Sequence, residues 1–368
     1  MGALDRTREG AAPPPDDLSG IVLEQADRIF AREATAERLA AADKGEWLHA
    51  LWAVVEDAGL TLALVPEARG GAGLPAIDGL RLMRRAGYHT LPLPLPETMI
   101  AAALWAEAAG AAPGGVLSLA PTTPDDGLRI EAHEAGYVLH GAAQRVPWAQ
   151  RASAILVHAR DQAGTGHLAL VPPGAARLAS CRNLANEPRE TLILDAVALP
   201  AQAVRPAPAW CAHGLLELGA SIRAQQMVGA MERCLDHALR YAMERKQFGR
   251  PIGKFQAVQM MLAEAAGHYA AATAAADLAA QAYGSAELGF AAAVAKSRVG
   301  EAAGKVAEIC HQVHGAMGFT QEHPLHFATR RLWSWRDEFG HEPFWQARIG
   351  RLVCERGGEA LWALLARA

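Results

Sequence analysis

The feature that most constrains the fold of this chain is a series of four long alanine-rich stretches after residue 209. They cover residues 210–245, 255–283, 290–315 and 343–368. Alanine has the highest intrinsic helix propensity, and its small side chain lets neighbouring helices approach closely. Four such stretches in succession predict a four-helix bundle at the C-terminal end of the chain.

The earlier part of the chain has two different patterns. Residues 16–112 are mostly helical in pattern, with Ile21, Ala26 and Ile29 near helical spacing. After residue 112 the pattern changes to short strand-like runs separated by Gly, Pro, Asp and Asn, which predicts an antiparallel β domain. These runs are 136–140, 154–158, 167–171 and 191–194.

The predicted fold class is therefore α+β, with an N-terminal helical domain, a middle antiparallel β domain and a C-terminal helical bundle. We place these domains at residues 16–112, 113–208 and 209–368. Residues 1–15 end in three prolines and are predicted to be a disordered lead-in.

Composition argues against several classes of function. Charged residues make up 20% of the chain and the net charge is −4, so no general attraction to nucleic acid or anionic lipid is expected. The five cysteines are scattered without a CxxC pair, which argues against a disulfide framework or a zinc site. No signal peptide or uninterrupted apolar span is visible, so we expect a cytoplasmic protein without a membrane span.

A first motif lies between the first two helical stretches. Arg-Lys-Gln-Phe-Gly occupies residues 245–249, and Gln256 follows seven residues after the motif ends, at the start of the second stretch. An Arg beside a Gln and a Gly-containing turn offers fixed donors for an anion. Alone, the same residues are more typical of a helix end with a glycine stop and a solvated Arg-Lys pair.

A second motif runs over residues 312–320, where Gly315 and Gly318 allow a backbone to approach a ligand closely. His311 and His314 are spaced i, i+3 on a probable helix, which raises the question of a metal site. Because no cysteine or carboxylate partner is placed beside them, we predict no metal.

The two motifs, together with the order helical, β, helical bundle, resemble the acyl-CoA dehydrogenases, which are FAD enzymes. The resemblance spans nearly the whole chain, but its motifs are specific only in the last third. It implies an α,β-desaturation of a CoA thioester, a dimer or tetramer, and electron-transferring flavoprotein as the usual electron acceptor.

The resemblance also implies which residues bind FAD. Residues matching Arg245 and Gln256 contact the pyrophosphate and adenosine half of FAD, and the second motif touches the adenosine end across a subunit interface. The predicted cofactor-binding residues are Arg245, Gln247, Phe248, Gln256, Gln312, Gly315 and Ala316.

The catalytic base of the family is a carboxylate, and neither of its two usual positions carries one here. Counting forward from the Gly-Phe-x-x-Glu-x-Pro segment at residues 318–324 leads to Phe339, and the alternative position corresponds to Gly219. Glu338 lies one residue before the first position and is the only candidate we name. A one-residue shift rotates a helical side chain by about 100°, so we expect Glu338 to be solvated or paired with Arg336 rather than to act as the base.

The predicted β domain departs from the family pattern as well. The flavin-contacting Trp-Ile-Thr-Asn segment aligns with residues 145–148, where Pro147 has no hydroxyl to offer. Residues 118–127 are likewise a poor match to the Thr-Glu-Pro-x-x-Gly-Ser segment. Two hypotheses follow: an acyl-CoA dehydrogenase with its own activity, or a non-catalytic subunit that completes the FAD site of a second family member in a heteromer.

Overall fold

The computed structural model describes residues 18–122, 127–211, 214–360 and 362. The predicted lead-in at residues 1–15 and part of the segment 118–127 lie outside these ranges. The described chain contains an N-terminal group of helices, a mixed sheet and a C-terminal group of longer helices, which confirms the predicted α+β class.

The N-terminal group packs around a helix that is buried along most of its length. This helix, α5, begins within the Leu-Pro repeat at residues 91–96 and has Pro96 in its first turn. Proline is tolerated there because the N–H that it lacks would have no partner within the helix. The helices of this group are α1 (Leu18–Glu33), α2 (Ala36–Asp43), α3 (His49–Asp57), α4 (Ala76–Tyr88) and α5 (Leu95–Ala109).

The middle of the chain forms one sheet. Its strands are β1 (Leu117–Leu119), β2 (Arg129–His133), β3 (Gly136–Pro147), β4 (Ala154–Arg160), β5 (Gly166–Val171), β6 (Arg177–Ala179), β7 (Arg189–Pro200) and β8 (Val204–Pro206). The order is β6-β7-β3-β2-β4-β5-β8, with β1 beside β4. The four predicted runs fall within β3, β4, β5 and β7. Most pairs are antiparallel as predicted, but β4 pairs in parallel with both β1 and β2.

The C-terminal group has one helix more than the sequence predicted. Its helices are α6 (Leu216–Glu244), α7 (Gln256–Gln281), α8 (Leu288–His314), α9 (Leu325–Asp337) and α10 (Glu342–Arg356). The unpredicted helix, α9, is short and mixes arginines with aromatic residues, so it lacks the alanine signal of its neighbours. A short hairpin of β9 (Lys246–Gln247) and β10 (Arg250–Pro251) joins α6 to α7.

Two apolar cores meet along α6. The first core contains the N-terminal helices, the sheet and the first turns of α6 up to Ile222. The second core fills the space between the C-terminal helices from Ala224 onward. The helix α6 therefore belongs to both cores. The proposed boundary at residue 209 marks a change from strands to helices, and it does not coincide with a boundary between the two cores. No helix within the described ranges is long and apolar enough to cross a membrane.

Candidate functional site

The first motif is presented to solvent by the β9–β10 hairpin. Arg245 ends α6 in an extended conformation, and its carbonyl accepts from the backbone N–H of Ile252 at 2.8 Å. Phe248 and Gly249 make the turn with φ values of +51° and +80°. The side chain of Phe248 is 92% exposed although it is large and apolar. A strained, exposed phenylalanine beside exposed cations is typical of a surface that meets another molecule.

The second motif lies at the end of α8, close to the base of the hairpin. Gln312, Gly315 and Ala316 are exposed, and Gly315 has a φ of +59°. The ring of Tyr241, one turn before the hairpin, stacks on His314 with centroids 4.7 Å apart. The structure thus brings the ends of α6 and α8 together, with both motifs on the surface. The individual FAD-binding residues remain a prediction.

The two positions at which the family carries its base lie against each other. A β-carbon added at Gly219 would overlap the ring of Phe339. That ring is 4% exposed, and the backbone of Phe339 has a left-handed φ of +53°. The space that a carboxylate would need at either position is therefore occupied by a phenylalanine ring over a glycine.

Glu338 is buried and doubly ion-paired, so the expectation of a solvated or Arg336-paired side chain was wrong. It accepts from the Nε of Arg189 at 2.7 Å, from the Nε of Arg223 at 2.6 Å and from the Nδ2 of Asn183 at 2.9 Å. Arg336 pairs with Glu342 instead. Burial raises the pKa of Glu338, but the two arginines outweigh burial and lower this pKa to about 2. A general base needs a pKa near the working pH, so this carboxylate is poorly suited to the role.

Glu338 is the centre of a longer chain of buried ion pairs, which we call the ion chain. Each of its side chains is at most 5% exposed. Its carboxylates and guanidiniums alternate and are equal in number, so the buried charges cancel. The ion chain runs in the order Glu97, Arg223, Glu338, Arg189, Glu187 and Arg331. It connects α5, α6, the start of β7 and α9.

Lys296 holds the α9–α10 loop that carries Glu338 and Phe339. Its buried ammonium donates to the carbonyls of Arg336 at 2.6 Å and Gly340 at 2.8 Å. Burial lowers the pKa of Lys296 to about 7, against the attraction of nearby carboxylates. The indole N–H of Trp345 also donates to the carbonyl of Phe339 at 3.0 Å. These contacts fix the loop with Phe339 directed at Gly219.

The segment aligned with the flavin-contacting part of the family is built into the interior. The hydroxyl of Ser118 donates to the carbonyl of Pro147. Trp148 has a left-handed φ of +55° and is 7% exposed. Its ring meets the ring of Trp47 edge-on at 5.8 Å. Trp148 is therefore part of an aromatic cluster between the sheet and the N-terminal helices.

A large open cavity of about 1030 Å³ lies between the starts of α6 and α8, the end of β4 and one face of α10. Its walls combine arginines with apolar side chains such as Phe290 and Phe344. Glu217 also lines it and is ion-paired with Arg348. The arginines of this cavity are Arg160, Arg348, Arg351 and Arg356. Glu355 is a second glutamate of the wall. The excess of arginine over glutamate and the apolar walls suit a ligand that is anionic at one end.

A histidine cluster under the second motif is expected to make stability depend on pH. Burial and the charges of Arg233 and its neighbours lower the pKa of His237 to about 3, and burial also lowers the pKa values of His314 and His323. The unfolded chain binds protons on these residues near pH 6.5. We therefore expect full stability above about pH 6.5 and a loss of at least about 1 kcal/mol per pH unit between pH 6 and pH 5.

Chemical denaturation at several pH values across this range measures the free energy of unfolding. His237→Gln removes one titrating group and should make the pH dependence shallower. His133→Gln, on an exposed position of β2, is the matched control and should leave it unchanged. If the free energy of unfolding fell equally steeply with falling pH in wild type and in His237→Gln, His237 would not contribute to the pH dependence.

Sequence comparisons show which known proteins this chain resembles. Residues 212–336 match the family model described as acyl-CoA dehydrogenase, C-terminal domain. Acyl-CoA dehydrogenase IpdE2 of Mycobacterium tuberculosis strain H37Rv is 28% identical over 321 residues, which are 86% of this chain and 91% of that protein. Acyl-CoA dehydrogenase FadE34 of the same strain is 30% identical over 305 residues, 80% of this chain and 41% of that protein.

Solved structures agree with the sequence comparisons. A chain of the ChsE4-ChsE5 complex from Mycobacterium tuberculosis superposes with a TM-score of 0.82 at 23% identity, over 93% of this chain and 98% of that one. A chain of the Tcur3481-Tcur3483 steroid ACAD G363A variant superposes with a TM-score of 0.81 at 28% identity. The superposition covers 92% of this chain and 98% of that one. Residues 212–336 thus form a C-terminal domain of the acyl-CoA dehydrogenase family, and the chain is similar to acyl-CoA dehydrogenases over most of its length.

Proposed function

We propose that this chain is the non-catalytic subunit of a heteromeric acyl-CoA dehydrogenase, in which it completes the FAD site of a catalytic partner. The observation that carries the proposal is the contact between Phe339 and Gly219. It leaves neither of the family's base positions with a carboxylate. The proposal includes a cytoplasmic location and electron-transferring flavoprotein as the electron acceptor of the assembled enzyme.

The chemistry explains why these positions decide the role of the chain. Desaturation removes the α-proton of a thioester with a carboxylate while bound FAD accepts a hydride from the β-carbon. In this chain the carboxylate nearest the base positions, Glu338, is held as an anion by two arginines. Pro147 cannot donate a hydroxyl hydrogen bond. The chain's own residues therefore provide neither the proton acceptor nor this donor.

The exposed motifs provide what a partner would need. A flavin dinucleotide carries a pyrophosphate, and the exposed Arg245 offers a planar guanidinium that suits it. Exposed Gln247, Gln256 and Gln312 add amide donors and acceptors for the adenosine end. The backbone at Gly315 and Ala316 is open to close approach. The residues present fit the nucleotide half of FAD, and we propose that they bind it across the subunit interface.

The comparisons support a heteromer. Two of the solved structures to which this chain is similar are named as pairs of different chains, ChsE4 with ChsE5 and Tcur3481 with Tcur3483. The second of these is named as a steroid ACAD, and it is 28% identical to this chain. A bulky acyl-CoA, such as a steroid-derived thioester, is therefore the substrate class that we propose for the assembled enzyme.

A second candidate function is a self-sufficient acyl-CoA dehydrogenase. The arginine-lined cavity of about 1030 Å³ favours it, because the anionic end of an acyl-CoA would suit those walls. Under this alternative, Glu338 would have to leave its two arginines to accept a proton.

The discriminating experiment is to quantify FAD in the protein purified alone and after co-expression with a second acyl-CoA dehydrogenase subunit. We expect little FAD in the single chain, and a stoichiometric amount together with turnover in the co-expressed complex. One FAD per chain and turnover by the single chain would instead support the self-sufficient enzyme.

Substitution of Glu338 tests the catalytic assignment in the assembled complex. Because we place no proton transfer at this residue, Glu338→Gln should leave kcat within about twofold of wild type. Loss of a true general base costs about 10²–10⁴-fold. The measurement is turnover per FAD of the variant and of wild type. It is made at a temperature at which circular dichroism shows the variant to be folded. A drop of a hundredfold or more would identify Glu338 as the base.

A further inference from the structure

A small cavity of about 130 Å³ is separate from the arginine-lined cavity and adjoins the histidine cluster under the second motif. It is enclosed by α1, α2, the end of α4, the middle of α6 and the start of α9. Most of its wall is apolar. Its polar side chains are His89, Thr90, Arg233 and His237. Nothing in the proposed function uses this cavity.

Two of the polar side chains are buried without a protein partner. His237 is 9% exposed and Thr90 is 4% exposed. Among the described residues, neither side chain makes a hydrogen bond to another side chain or to the backbone. Thr90 also has a φ of +50°, which is strained for a β-branched residue. Both polar groups line the same cavity, so one polar ligand bound there can form hydrogen bonds with both.

Arg233 is the one arginine among the described residues of the cavity wall. Arg233 makes no ion pair with a described carboxylate, and its guanidinium lies 5.3 Å from the centroid of the Tyr88 ring. The nearest acids are already engaged. Asp27 pairs with Arg85 at 2.6 Å and contacts His89 at 2.8 Å, while Asp236 accepts from the Tyr88 hydroxyl at 2.8 Å. A guanidinium, a hydroxyl and an imidazole on the wall of one cavity are the donor set of an oxyanion site.

We propose that this cavity binds a small tetrahedral oxyanion of the inorganic phosphate class, held by Arg233, Thr90 and His237. A volume of about 130 Å³ admits such an ion but excludes a nucleotide. Bound there, the anion joins the N-terminal helices to α6 and α9. His237 also contacts His323, whose ring centroid lies 5.6 Å away beside the second motif, so occupancy of the cavity is coupled to that surface.

The test is titration of the full-length protein with inorganic phosphate, against sodium chloride at equal ionic strength, followed by thermal melting and isothermal titration calorimetry. We expect phosphate, but not chloride, to raise Tm. Arg233→Gln should weaken phosphate binding by about tenfold or more, because a charge-assisted contact is lost. Arg240→Gln is the matched control, since Arg240 is an exposed arginine of α6 outside the cavity wall. Thr90→Val removes the hydroxyl at nearly constant volume and should also weaken binding.

Nuclear magnetic resonance of the imidazole groups locates the ion. Phosphate should shift the ring signals of His237 in wild type, and this shift should be absent in Arg233→Gln. No binding at millimolar phosphate, equal binding by the Arg233 and Arg240 variants, or a Tm increase without a change in the His237 signals would each overturn the proposal. The measurement needs no flavin or partner subunit, so its outcome is independent of the proposed function.

Discussion

Arg223→Met is expected to destabilise the fold by about 3–5 kcal/mol, because it leaves buried charge without a partner. Arg223 donates to Glu97 at 2.6 Å through Nη2 and to Glu338 at 2.6 Å through Nε, and its own side chain is 1% exposed. Neither carboxylate can be rehydrated at this depth without opening the interface between α5 and α6. The free energy of unfolding, measured with urea at pH 7, reports the loss.

The control is an ion pair of the same type on the surface. Arg28 pairs with Glu24 on α1, where their side chains are 75% and 60% exposed. Arg28→Met should therefore change stability by less than about 0.5 kcal/mol, as is usual for exposed pairs. Combining Arg223→Met with Glu338→Gln should recover part of the stability, because the second substitution removes one of the two buried carboxylates that lost Arg223 as a partner. Equal effects of the Arg223 and Arg28 substitutions would show that the ion chain contributes little to folding.

Sequence patterns predicted most of the fold because they are local. The alanine-rich stretches gave α6, α7, α8 and α10, and the alternation of apolar and turn residues gave four strands of the sheet. The helix α9 was missed because its buried face contains Arg331 and Trp335, and an arginine buried by an ion pair has no apolar signature.

The interior of the candidate site could be predicted only in part. Counting from the second motif led to Phe339, and the structure places that residue against Gly219, the other position inferred for a base. The ion chain could not be predicted, because Arg223 lies 126 residues from Glu97 and 115 residues from Glu338 in sequence. Ser221, Gln225 and Gln226 lie close to Arg223 in sequence, so no local pattern marked this arginine as one with a buried partner.

Removing Arg245 should have the largest effect on cofactor binding. In the complex assembled with a catalytic partner, Arg245→Ala is expected to weaken FAD binding by about 10- to 100-fold, the range expected for loss of a hydrogen-bonded charge contact to phosphate. Arg245 is exposed, so its loss should leave the free energy of unfolding of the isolated chain nearly unchanged. FAD retained after dialysis, and the dissociation constant from fluorescence titration of the apo complex, measure the effect.

Arg250→Ala is the matched control for this prediction. Arg250 lies on the same hairpin and is exposed, but its guanidinium packs over the ring of Phe255 at 4.3 Å, and it is not among the residues predicted to bind FAD. Full FAD retention by Arg250→Ala together with loss by Arg245→Ala would assign the contact to one guanidinium. Equal loss by both variants would point to the charge or shape of the whole hairpin instead. Unchanged FAD content with Arg245→Ala would remove the first motif from the cofactor site, and with it the main reason to expect this chain to complete a partner's FAD site.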